Sequence, residues 1–116
     1  MSVWNDGVVR TVELAGELDL STVGQLDAEM EPREGFDVVI VDLRGLTFMD
    51  STGIKLVIQA ERVHREVGSR LVLVRGQRHV QRVFEISGLE QRFEFLDAPE
   101  ELTSDPEARN GFAARE

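Results

Sequence analysis

The chain contains no cysteine. Disulfides, thiolate nucleophiles and thiolate metal sites are therefore excluded. Positive charge is also scarce: 13 Lys and Arg stand against 22 Asp and Glu, for a formal net charge of −9. A surface of that sign does not attract phosphate backbones or anionic lipid, so neither nucleic acid nor a membrane is expected as a direct partner. Long apolar runs are missing as well, and none approaches the ~20 residues of a membrane span. Residues 1–6 show no basic segment leading into an apolar core, so no signal peptide is expected, and the expected location is the cytoplasm. What remains is a chain of 116 residues, 41% hydrophobic and 30% charged. These are the proportions of an ordinary globular protein, long enough for one domain with a single core.

Strand and helix patterns alternate along the chain. In residues 8–15, Val8, Val12 and Leu14 share one parity and Thr11 and Glu13 the other, which predicts a strand with one buried face. After Gly16-Glu17-Leu18-Asp19, Ser21 or Thr22 can cap a helix in which Val23, Leu26 and Met30 form a stripe. Pro32 and Gly35 end it. Val38-Val39-Ile40-Val41 is apolar on both faces, as in a central parallel strand, and Gly45 breaks the chain after it. A helix over about residues 51–67 should close at Gly68. Residues 71–74 predict another buried strand, residues 77–87 a helix, residues 93–96 an edge strand and residues 99–102 a last short helix. Residues 103–116 are polar and aperiodic and read as a flexible tail beyond a domain of residues 1–102. The expected class is a small single-domain α/β fold, with a mixed sheet of four to five strands and interspersed helices.

The stretch Thr47-Phe48-Met49-Asp50-Ser51-Thr52-Gly53-Ile54 joins the central strand to the long helix. It places three short polar side chains where helix amides lack partners and the helix dipole is positive. Such a position suits an N-cap and equally a phosphate. At 100° per residue, Leu56, Ala60, Val63 and Val67 fall within roughly 60° of arc, which marks them as the core face. Ile54 and Ile58 then fall opposite, beside Ser51. Two readings stay open for these isoleucines: packing beneath a loop, or a docking ridge next to a modifiable hydroxyl.

Intrinsic catalysis finds little support. Met49 stands where a Gly-x-Ser-x-Gly elbow needs its first glycine. Asp50 and Gly53 are one residue too far apart for an Asp-Thr/Ser-Gly loop. His64 and His79 are isolated from each other and from Ser51, and both read as surface helix residues. There is no glycine-rich phosphate loop. Asp42 and Asp50 could in principle hold magnesium, but strand-end aspartates are more often caps. No metal or cofactor is expected. Ser51 reads better as a substrate than as a nucleophile.

Three pieces in order carry a family resemblance: Gly16-Glu17-Leu18-Asp19, the run VIVDLRGLTFMDSTG over residues 39–53, and Val83-Phe84-Glu85-Ile86-Ser87-Gly88-Leu89. Together they resemble the STAS domain, and specifically the bacterial anti-sigma factor antagonists, over about residues 8–102. The resemblance implies that Ser51 is phosphorylated by a partner that is both serine kinase and anti-sigma factor. A second serine often follows in the family; Thr52 stands there instead, as a minor alternative acceptor. The resemblance further implies that Asp19, Asp50 and Gly53 support the site, and that the Ser51 end, with Ile54 and Ile58, docks the unphosphorylated domain onto its partner. A PP2C-like phosphatase would reset the switch. The chain would then be a regulator of transcription by partner switching and not an enzyme. The alternative is a STAS regulatory subunit of another complex, such as a lipid-transport system.

Overall fold

The computed structural model of the chain describes residues 1–18 and 23–103. The elements are β1 (Ser2–Asp6), β2 (Val9–Leu18), α1 (Val23–Met30), β3 (Val38–Met49), α2 (Ser51–Val67), β4 (Arg70–Val74) and α3 (Arg78–Ile86). A 3₁₀ turn at Glu90–Arg92, β5 (Glu94–Leu96) and α4 (Glu100–Thr103) follow. The five strands form one sheet in the order β1-β2-β3-β4-β5. β1 runs antiparallel to β2, and every later pairing is parallel. The expected mixed α/β sheet is thus present. The expected boundary between residues 102 and 103 falls within α4, and residues 104–116 lie outside the described residues.

Parallel neighbours need crossover helices, and the double apolar runs in β3 and β4 show where these pack. Val39, Val41, Leu71 and Leu73 join Leu26, Met30, Val57 and Phe84 in one cluster, so α1, α2 and α3 share a face. Val38, Ile40, Val72 and Val74 point to the other face, where Val8, Leu96 and Leu102 pack on them. Phe84 contacts Phe93 and Phe95 edge-to-face, with centroids 5.5 Å away in each case, and this seals the α3 side.

The strands differ from expectation in two places. β1 occupies residues read only for a leader. Asp6 pairs with Val9 across a turn in which Gly7 has φ 63°, a conformation that glycine adopts freely. β3 does not break at Gly45; it runs on to Met49. A Cβ at Gly45 would lie 2.5 Å from the Leu14 carbonyl oxygen, so this glycine marks a close approach of β2 to β3 and not a turn. β4 stops pairing at Asp42–Val74, while β2 follows β3 as far as Leu18–Met49. The last turn of this pair is therefore a two-stranded projection beyond the sheet, and α2 starts from its tip.

The core face of α2 is also not the expected one. Its buried residues are Gly53, Ile54, Val57, Ala60 and His64. Of the four residues assigned to the core, Ala60 is buried and Leu56 half-buried, whereas Val63 is 37% and Val67 63% exposed. Aliphatic side chains alone do not mark this stripe, because a glycine and a histidine complete it. His64 is accordingly not a surface residue. Its Nε2–H donates to the Met30 carbonyl at 2.7 Å, and its Nδ1 lies 2.7 Å from Ser69 Oγ. Tying the last carbonyl of α1 to the end of α2 compensates the burial of the ring. Gly68 ends α2 in the left-handed conformation, as expected.

Candidate functional site

Asp50 is extended (φ −104°, ψ −172°), and its carboxylate accepts from the Thr52 and Gly53 amides at 3.0 and 3.1 Å. It is the N-cap of α2. With the cap supplied by Asp50, Ser51 is exposed at the first helical position, and its hydroxyl makes no hydrogen bond among the described residues. Thr52 is half-buried and Gly53 buried. A Cβ on Gly53 would sit 2.8 Å from Met49 Cγ and 3.0 Å from Leu18 Cδ2. The missing side chain lets the first turn of α2 lie directly on the β2–β3 projection. Gly53 is thus the contact that fixes Ser51 relative to the sheet.

Of the expected docking residues, Ile54 is 6% exposed and packs in the core. Ile58 is half-buried against the same cluster. The ridge of Ile54 and Ile58 is not formed, because Ile54 lies within the Gly53–Val57–His64 stripe. Phe48, three residues before Ser51 in the chain, is 46% exposed on β3. Its signal in the sequence was the strand itself: once β3 continues past Gly45, one residue beside buried Met49 must point outward. The adjoining Thr47 is anchored from two sides. Its Oγ1 donates to the Gly16 carbonyl at 3.1 Å, and its own carbonyl accepts from His79 Nε2 on α3. Asp19 lies outside the described residues; Leu18, just before it, pairs with Met49.

Both histidines are held away from Ser51 by other partners. His64 is engaged in the core, where burial holds its pKa below the usual histidine value despite the opposing effects of the Met30 carbonyl and Glu61. His79 is exposed and held on Thr47, leaving no imidazole in contact with Ser51. The Asp42 carboxylate is clasped by Arg44, with Nη2 to Oδ2 at 2.9 Å and Nε to Oδ1 at 3.1 Å. No cluster of three or more His, Asp or Glu suited to a metal exists among the described residues. No helix among them is long and apolar enough to cross a membrane.

Comparison with known proteins agrees with this geometry. The family model described as "Mlab, STAS domain" matches residues 1–97. The anti-sigma F factor antagonist of Lysinibacillus sphaericus is 34% identical over 97 residues, covering 81% of each chain. The anti-sigma-B factor antagonist of Staphylococcus epidermidis is 32% identical over 80 residues, 67% of this chain and 74% of that one. The anti-sigma factor antagonist SpoIIAA in its unphosphorylated form superposes with a TM-score of 0.74 at 28% identity, covering 97% and 96% of the two chains. The phosphorylated form of the Bacillus cell fate determinant SpoIIAA gives 0.70 at 29% identity, covering 90% and 96%. The chain belongs to the STAS domain family, among the anti-sigma factor antagonists.

Proposed function

We propose that this protein releases a sigma factor by occupying its anti-sigma factor, and that phosphorylation of Ser51 ends the occupation. The observation that carries this reading is the division of labour at the start of α2. Asp50 caps the helix, so the neighbouring Ser51 hydroxyl is exposed and has no capping task. Thr52 is the lesser acceptor, being half-buried with its amide on Asp50. Catalysis belongs to the partner, an anti-sigma factor with serine kinase activity. Ser51 Oγ attacks the γ-phosphorus of the partner's ATP, the Oγ–P bond forms, the bond to the bridging oxygen breaks, and ADP leaves. The hydroxyl proton passes to a base of the kinase. A PP2C-like phosphatase hydrolyses the ester and restores the hydroxyl. All three proteins work in the cytoplasm, without DNA contact by this acidic chain.

The switch is electrostatic. A phosphoryl group adds about 1.5 to 2 negative charges at Ser51, on a chain already at −9. Moving a complex from 99:1 to 1:99 takes about 5.5 kcal/mol. A desolvated dianion in the interface supplies energy on that scale. Incubation with candidate anti-sigma kinases and ATP, followed by mass spectrometry of the peptide spanning residues 47–62, tests the assignment. Phosphate should appear on Ser51 and vanish in Ser51→Ala, which should stay bound to the kinase when ATP is added. Ser51→Asp should bind at least tenfold more weakly; wild-type affinity in that variant would refute the switch. The second reading is a STAS regulatory subunit of another complex, such as a lipid-transport system. Co-purification of a transporter subunit in place of a kinase would establish it.

A further inference from the structure

Positive charge is the scarce resource of this chain, and most of it is committed. Among the described residues, four cationic side chains form no ion pair with another described residue: Lys55, Arg62, Arg78 and Arg82. One of them, Lys55, stands four residues after Ser51 on α2, and both are exposed. Residues at this spacing are neighbours on a helix surface, about 5–6 Å apart at Cβ, and anion-before-cation is the favoured order.

A phosphate on Ser51 cannot be held by the next amides of its helix. The Thr52 and Gly53 N–H groups already donate to the Asp50 carboxylate, and the Ile54 N–H donates to the Asp50 carbonyl at 3.1 Å. Asp50 moreover places a negative charge beside the modified residue. A side chain can supply the counter-charge, and Lys55, one turn away, forms no ion pair with another described residue. Resting on the reading of Ser51 as phosphoacceptor, we propose that Lys55 is the counter-cation of phosphorylated Ser51. In the released form the ammonium and the phosphate close an i,i+4 pair over the first turn of α2. The modified helix start is thereby held in place, and the switch acts through surface charge with α2 intact.

The test installs phosphoserine at position 51 during translation, so it depends on no kinase. The second ionisation of the phosphate is then followed by ³¹P NMR titration in the wild-type, Lys55→Gln and Lys55→Arg backgrounds. The pair lowers this pKa because the dianion gains more from the ammonium than the monoanion does. The expected pKa is about 0.2–0.4 unit lower in the wild-type background than in Lys55→Gln, and Lys55→Arg should restore it. The difference should collapse in 1 M salt, where the screening length is about 3 Å. Equal pKa values in the wild-type and Lys55→Gln backgrounds at low salt would overturn the pairing. That result would leave kinase labelling of Ser51 untouched. Conversely, absent labelling would sink the functional reading while the titration kept its meaning.

Discussion

At Ser51 and its neighbours the sequence supplied the residues but not their division of tasks. Asp50, Ser51 and Thr52 are interchangeable as N-caps by propensity; the structure gives the task to Asp50, and exposure then separates Ser51 from Thr52. Gly53 was legible as part of a motif, but its reason, the contact with Met49 and Leu18, depends on a strand projection that local patterns do not encode. Gly53→Ala should gain up to about 1 kcal/mol of helix propensity and lose about 1–3 kcal/mol to overpacking. A net loss of about 1 kcal/mol in urea unfolding is expected; a stabilised variant would show that Met49 and Leu18 yield freely. His64 was misplaced because a lone histidine gives no sign of the carbonyl waiting for it. Its pKa is lowered in the fold, chiefly by burial, so the unfolded chain binds the proton more readily. Stability should therefore be full above the unfolded histidine value near 6.5 and decline as pH falls below it, levelling off beneath the depressed folded value. Comparing urea midpoints at about pH 7.5 and about pH 5.5 for wild type and His64→Gln checks this, since the variant should lose this part of the slope.

At the level of elements, the order of strands and helices was readable because each carries its own period, and β3 and β4 announce their burial by apolar runs. Helix α2 shows where that reading fails. Its exposed Val63 and Val67 outvoted Gly53 and His64 in a count of aliphatic side chains, and the assigned face turned away from the true one. The two assignments predict opposite mutational patterns. With Ile54 in the core, Ile54→Ala should cost about 2–4 kcal/mol, whereas Val67→Ala, 63% exposed, should stay within about 0.5 kcal/mol of wild type. Thermal unfolding of the two variants decides between the faces. Phe48→Ala, 46% exposed, should stay within about 0.5 kcal/mol of wild type and weaken binding to the anti-sigma factor.

For the molecule as a whole, the question is whether the signal travels through the fold or stays on its surface. The sheet joins α1, α2 and α3 on one face into a single core, and α2 is pinned at its start by Gly53 and at its end by His64 and Gly68. Phosphorylation should accordingly leave amide exchange in β3 and β4 at its unmodified rate, with chemical-shift changes concentrated in residues 47–58. Faster exchange across Arg70–Val74 after modification would mean that the phosphate loosens the sheet, and the surface-charge account would have to give way to a conformational one. Retained protection together with lost partner binding would place the whole effect at the α2 start, where a single dianion changes what the surface can dock against.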